Sequence, residues 1–263
     1  MGDEAPLMKS HFDRIASGYR ELRKTDREPV QYLARLMADG NDDTHLLDLG
    51  CGTGRYSEAL LDYLSNPLNL YCLDISEGML RYCREKLYRH QNAKSCFFLQ
   101  GEAASIPFDK GLLDFIVTFN AIHHFDIPRF FAEAARVLKP DGCLGIYTRS
   151  RDQNDNTIWG QYFPGFAEKE NRLLSIEEFD KMLLARRDLR LEEIKTYDFK
   201  RVISIDKLMQ LVSRHHYSTF AFYTPEEFKK TAAIFEERLK DAFDDLENIP
   251  HDSGYTLLLV RKK

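Results

Sequence analysis

One stretch of this sequence combines residue types and spacing that suit the binding of a small ligand. A short apolar run ends in Asp48 and passes into Gly50, Gly52 and Gly54, which predicts a buried strand that turns sharply toward a helix. Glycines in such a turn let backbone amides approach a ligand closely, because no Cβ stands in the way. In a dinucleotide-binding loop the third glycine would stand at position 55, which Arg55 occupies. The spacing therefore argues against a pyrophosphate cradle.

Two further features could act on a ligand held at this turn. Asp74 ends the next strand-like segment, where a carboxylate can accept hydrogen bonds from both hydroxyls of a ribose. The alternative is that Asp74 only caps the following helix. His123 and His124 follow a later apolar run, and an imidazole, which titrates near neutral pH, can remove a proton from a bound molecule. The alternative for this pair is that it only shapes a pocket.

Strand-like and helix-like segments alternate from Leu46 to Tyr147, as in a doubly wound parallel sheet. Beyond Arg149 this alternation breaks, and residues 150–172 read as a loop with an aromatic cluster. The remaining predicted elements are a helix from Ser175 to about Arg187, a strand from Leu191 to Ile205, a helix opened by Thr224 with Phe228, Ala232, Phe235, Leu239, Ala242 and Leu246 on one face, and a final strand from Gly254 to Val260.

Composition limits the classes of function. A chain of 263 residues, 43% of them apolar, is long enough for one α/β domain with an elaboration. The net charge of −5 argues against a nucleic-acid partner. Five cysteines without metal-type spacing predict reduced, mostly buried thiols and no metal. Since no segment approaches the roughly 20 apolar residues of a membrane span, we expect no membrane partner and a cytoplasmic location.

The motifs occur in a recognisable order. The glycine turn, Asp74, the segment Asp114 to Phe125 and the segment Glu133 to Gly142 together resemble the class I S-adenosylmethionine-dependent methyltransferases, of the small-molecule, type 11-like kind. The resemblance covers about residues 44 to 148. It implies an α/β fold with a doubly wound, mostly parallel seven-stranded sheet. The implied single domain has an N-terminal helical lid (1–43), a cofactor-binding core (44–148) and a part that carries a C-terminal helical insertion, the acceptor pocket and the closing strands (149–263).

The resemblance implies S-adenosyl-L-methionine as cofactor and S-adenosyl-L-homocysteine as product. Glu102 departs from the family pattern, which commonly has Asp near the adenine amino group. Tyr19 lies in a segment similar to the helix that closes over the cofactor, although it could also anchor an ordinary surface helix. The implied cofactor-binding residues are Tyr19, Asp48, Gly50, Cys51, Gly52, Gly54, Asp74, Ile75, Met79, Glu102, Ala103 and Asn120.

The acceptor side is less defined. Residues 150–172 and 206–223 are its expected source, and each set of side chains there has an alternative, an ordinary core or solvated charges. Trp159, Tyr162, Phe163, Tyr217, Phe220 and Tyr223 would suit an apolar molecule, whereas Arg149, Arg151, Arg214, His215 and His216 could bind an acidic group.

The expected function is in-line methyl transfer to a small-molecule acceptor, with His123 or His124 as general base and oxygen as first choice of acceptor atom. Three alternatives stay open: an RNA or protein substrate, a non-catalytic S-adenosylmethionine-binding regulator, and a nicotinamide dehydrogenase. The sequence does not indicate the acceptor or the oligomeric state.

Overall fold

The structure is a computed structural model, and it describes residues 25–38, 43–64, 66–88, 90 and 95–263. Tyr19 and most of the predicted lid lie outside the described residues. The strands are β1 (His45–Leu49), β2 (Asn69–Asp74), β3 (Ser95–Gln100), β4 (Leu113–Phe119), β5 (Leu138–Thr148), β6 (Leu189–Ile203) and β7 (Ile249–Lys262). The helices are α1 (Arg27–Leu36), α2 (Arg55–Tyr63), α3 (Glu77–Leu87), α4 (Ile127–Val137), α5 (Arg151–Asp155), α6 (Ile158–Tyr162), α7 (Phe166–Lys169), α8 (Ile176–Leu184), α9 (Ile205–Ser213) and α10 (Pro225–Ala242), with 3-10 turns at Ile122–His124 and Ser218–Phe222.

The sheet confirms the predicted fold class. Its seven strands follow the order β3-β2-β1-β4-β5-β7-β6. The first five strands pair in parallel, and β7 runs antiparallel to β5. Because β2 and β4 lie on opposite sides of β1, the strand order reverses there, and ligands of open α/β sheets bind outside the carboxyl ends of the strands at such a point.

The chain divides into two compact units. The first contains the described residues up to Thr148 together with Glu177–Lys195 and Thr256–Lys263, and the second contains Arg149–Ile176 and Thr196–Tyr255. In the first unit the helix α1 packs on the sheet, because Leu33 Cδ2 would lie 2.8 Å from a Cβ added to Gly145. No helix among the described residues is both long and apolar enough to cross a membrane.

Several predicted elements need correction. The loop predicted over residues 150–172 is wrong, since α5, α6 and α7 occupy it. Side-chain caps account for the first two of these helices: the amide of Gln153 donates to Ser150 Oγ at 3.3 Å, and that of Gly160 donates to Thr157 Oγ1 at 3.1 Å.

The capping box at Thr224 is confirmed as the start of α10, with the Glu227 amide donating to the threonine hydroxyl at 3.2 Å. This helix ends at Ala242. Leu246 therefore lies beyond the helix, and the predicted apolar face is too long.

Candidate functional site

The glycine turn joins β1 to α2 and is closely packed at two of its three glycines. Gly50, Gly52 and Gly54 all have positive φ, at 73°, 55° and 75°. A Cβ on Gly50 would lie 2.6 Å from Ala121 Cβ, and one on Gly54 would lie 2.7 Å from Cys83 Sγ. At Gly52, by contrast, no described atom lies within 4 Å of that position. Within the described part of the chain, the turn is therefore open at its middle glycine and closely packed at the other two.

Asp74, at the end of β2, holds this turn in place. Its Oδ2 accepts a hydrogen bond from the Gly52 amide at 2.8 Å, and its Oδ1 accepts one from the Ser76 amide at 2.9 Å. The N-cap of α3 is Ser76, whose hydroxyl accepts from the Met79 amide at 3.1 Å. Asp74 is therefore not the helix cap, and its carboxylate adjoins the open glycine.

Asp48 lies on β1 beneath the turn and is 1% exposed. Its Oδ2 accepts a hydrogen bond from Ser57 Oγ at 2.5 Å, while its Oδ1 has no hydrogen-bond partner among the described residues. Burial, followed by the nearby Cys72, raises the pKa of Asp48 to about 8. A carboxyl group that is neutral at pH 7 favours a structural role for Asp48 under the turn over direct capture of a cofactor ammonium.

The residues predicted for the adenine side follow β2 and β3. Asp74 lies opposite Gln100 in the sheet, so the segments that begin at Ile75 and Glu102 leave the sheet side by side. Glu102 is exposed, and Ala103 is buried. Met79 is 1% exposed within the core of the first unit. Its contact with a cofactor stays a prediction.

The 3-10 turn that carries the histidine pair follows β4 and begins next to the glycine turn. His123 and His124 form the 3-10 turn after β4, with ring centroids 4.1 Å apart, and Ala121 just before them contacts Gly50. Asn120, at φ 54°, donates its amide to the Tyr147 carbonyl at 2.7 Å. The structure thus brings the carboxyl ends of β1 and β4 together.

A buried polar cluster behind this edge was missed by sequence reasoning. The hydroxyl of Tyr147 donates to Asp26 Oδ2 at 2.9 Å, and that of Tyr56 donates to the same oxygen at 3.3 Å. Tyr56 also stacks on Phe119, with ring centroids 4.3 Å apart. Asp26 and Tyr147 are 121 positions apart, so no local pattern connects them.

Three of the predicted free thiols meet beside the turn. All five cysteines are free, and the sulfur atoms of Cys51, Cys72 and Cys83 lie within 4.8 Å of one another. Burial raises the pKa of Cys51, whereas hydrogen bonds from the Cys51 and Cys72 thiols lower the pKa of Cys83. Sequence spacing could not reveal this cluster, because its members come from a turn, a strand and a helix.

The aromatic residues predicted for the acceptor pocket form the core of the second unit instead. Trp159 stacks on Phe235 at 5.1 Å between ring centroids, and Phe163 lies 5.0 Å from Phe220. The members of this cluster that are buried are Trp159, Phe163, Phe166, Phe220, Tyr223 and Phe235. Their packing favours the core alternative, and only Tyr162 and Tyr217 of the predicted set are half-exposed.

Two of the basic residues predicted for the same pocket contact aromatic rings. The Arg149 guanidinium lies 4.5 Å from the Tyr255 ring, and the His215 ring stacks on Phe228 at 4.2 Å. His216 is buried. These contacts favour structural roles over a shared anion site.

The fold and the site define a doubly wound α/β protein with a glycine-lined opening at the point where the strand order reverses. Residues 47–146 match the family model described as a methyltransferase domain. The chain is 32% identical over 169 residues to a demethylmenaquinone methyltransferase of Lactobacillus johnsonii, an alignment that covers 60% of this chain and 68% of that protein. The chain therefore belongs to the class I S-adenosylmethionine-dependent methyltransferases.

Two further comparisons give one more methyltransferase relative and one protein that shares the fold. A malonyl-[acyl-carrier protein] O-methyltransferase of Geobacter sulfurreducens is 28% identical, over 53% of this chain and 51% of the relative. The [4+2]-cyclase SpnF shares the fold with a TM-score of 0.64 at 16% identity, over 98% of this chain and 96% of the cyclase. The chain spans between 31% and 68% of the lengths of the curated relatives it matches, and less than two thirds of most.

Proposed function

We propose that this chain transfers a methyl group from S-adenosylmethionine to a small-molecule acceptor by in-line displacement. The observation that carries the proposal is the open glycine beside an acid. No atom of the described residues lies within 4 Å of a Cβ placed on Gly52, and the Gly52 amide donates to Asp74 at 2.8 Å. A nucleoside placed over Gly52 would meet a carboxylate at the edge of the opening.

The residues at this opening fit the cofactor. Asp74 accepts the amides of Gly52 and Ser76, and a carboxylate at the end of such a strand can accept hydrogen bonds from the hydroxyls of a ribose. The bound cofactor supplies an electrophilic methyl group together with its leaving group. The chain itself then has to hold the acceptor atom in line behind this methyl group and to prevent other orientations of the acceptor.

The acceptor side of the proposal rests on the histidine turn. Because Ala121 contacts Gly50, the 3-10 turn that carries His123 and His124 begins beside the glycine turn. We assign one of them as the general base for a hydroxyl or carboxylic acid acceptor, and Asn120 as an orienting residue.

Titration calorimetry with S-adenosylhomocysteine and, separately, with NAD tests the cofactor. We expect binding of the first and none of the second, and a preference for NAD would overturn the proposal. Mass spectrometry of a panel of metabolites, peptides and RNA incubated with S-adenosylmethionine then tests the acceptor. Cofactor binding without a methylated product would favour a non-catalytic regulator or a cyclase-like activity, and methylated RNA or peptide would replace the small-molecule assignment.

Replacing Asp74 by alanine should weaken S-adenosylhomocysteine binding by about 1–3 kcal/mol, because two ribose hydroxyls lose their acceptor. The same titration measures the effect. Asp62→Ala, whose side chain is 60% exposed on α2, is the matched control and should leave the affinity unchanged. Equal affinity of Asp74→Ala and the parent protein would show that this carboxylate does not face the ribose.

Replacing both His123 and His124 by alanine should lower kcat by about 100-fold or more, the range for loss of a general base, while the affinity for S-adenosylhomocysteine stays within twofold. His90→Ala is the control, because it also removes an imidazole, one whose partner is Asp62 and not the glycine turn. A parallel loss of turnover and cofactor affinity would point to a packing role for the pair.

A further inference from the structure

Three thiols from three different elements converge beside the glycine turn. Cys51 lies in the turn, Cys72 on β2 and Cys83 on α3, and their sulfur atoms all lie within 4.8 Å of one another. Cys72 and Cys83 are 0% exposed, and Cys51 is 8% exposed. Among the described residues of the cluster, Cys51 in the turn is therefore the most exposed member.

The sulfur atoms are held by their surroundings. The Cys51 amide donates to the Leu73 carbonyl at 3.2 Å, which ties the turn to the end of β2. Cys83 packs against Gly54, whose added Cβ would lie 2.7 Å from its sulfur. Zinc–sulfur bonds of about 2.3 Å place the sulfur atoms of a site roughly 4 Å apart. Contraction of well under 1 Å in each sulfur position would reach that geometry.

The position of the cluster also suits bound thiolates. Cys83 Sγ lies at Gly54, the N-cap of α2, and Cys72 Sγ lies 3.8 Å from Ser57 Oγ in the first turn of the same helix. Free amides and the dipole at a helix N-terminus stabilise negative charge, including that of thiolates. Three thiolates with one divalent cation leave a net charge of −1, which this helix end partly compensates.

We propose that Cys51, Cys72 and Cys83 bind one thiophilic divalent cation of the zinc and cadmium class. Three soft sulfur ligands favour such a cation over magnesium or calcium, which prefer oxygen. The cation would link the glycine turn to β2 and α3. The test of this site needs neither cofactor nor methyl transfer, so its outcome is separate from that of the proposed function.

Cadmium chloride is the probe, added to the reduced, chelator-treated full chain without cofactor. We expect one cadmium per chain by equilibrium dialysis and an ultraviolet sulfur-to-cadmium charge-transfer band that saturates at the same ratio. Added zinc should displace the bound cadmium and so remove the band. Cys72→Ala and Cys83→Ala should each weaken binding by more than about tenfold, the scale on which metal sites respond to altered ligand surroundings.

Cys96→Ala and Cys143→Ala are the matched controls, since these thiols lie outside the cluster, and both should bind cadmium as the parent does. Cys51→Ser, in the partly accessible turn, keeps the test available if a substitution in the core prevents folding. Absence of the band, equal binding by cluster and control variants, or loss of two thiols to a disulfide in place of cation binding would each overturn the proposal.

Discussion

Replacing Glu170 by alanine is expected to lower the free energy of unfolding by about 3–5 kcal/mol, the cost of leaving one charge of a buried pair without its partner. The Glu170 and Arg172 side chains are 5% and 8% exposed, and their nearest oxygen and nitrogen atoms are 2.5 Å apart. Thr219 Oγ1 donates to the Glu170 carboxylate at 2.6 Å, and Arg172 donates to Ser218 Oγ at 3.0 Å. Alanine would leave the guanidinium buried without its carboxylate partner.

Urea denaturation followed by circular dichroism measures this loss. Lys200→Ala is the matched control in the same unit, because Lys200 and Asp252 form an ion pair with side chains 84% and 58% exposed, and exposed pairs contribute at most about 1 kcal/mol. Joint replacement by Glu170→Leu and Arg172→Met should recover much of the stability, since apolar side chains of similar volume often replace a buried pair without cost. Equal losses in Glu170→Ala and Lys200→Ala would contradict the prediction.

The second large effect is a pH dependence of stability that Asp48 imposes. The pKa of this carboxyl is raised by burial to about 8 in the folded chain, against about 3.9 in an unfolded chain. Between these values the folded state holds a proton that the unfolded state has lost. The free energy of unfolding should therefore fall as pH rises from about 4 to about 8, by roughly 1–2 kcal/mol per pH unit from this group.

Asp48→Asn should flatten that dependence, because an amide does not titrate and still accepts the hydrogen bond that Ser57 donates to Asp48. Urea midpoints of the parent and the variant at pH 5, 6, 7 and 8 measure the effect. The midpoint of the variant should increase relative to that of the parent as pH rises. Asp62 lies on the surface of α2, so the urea midpoint of Asp62→Asn should change with pH as that of the parent does. Parallel curves for Asp48→Asn would show that the buried carboxyl stays ionised.

Local signals in the sequence predicted much of the structure around the glycine turn. The alternation of Gly50, Gly52 and Gly54 predicted a sharp turn between a strand and a helix, and the structure shows this turn with positive φ at all three residues. Ser76 and Thr224 cap the helices that their types favour. The Ser150 and Gln153 capping box carried the same kind of signal, and the polar composition around it concealed three short helices.

The amino-acid sequence by itself determined the fold class, the glycine turn and the acid that ends β2, because backbone dihedrals, caps and strand periodicity depend on neighbours within a few positions. Only the tertiary structure decided that the aromatic residues around Trp159 form a core, that Asp48 is buried without a second hydrogen-bond partner among the described residues, and that three thiols meet beside the turn. Burial and proximity arise when segments far apart in the chain pack together, so no local pattern carries them.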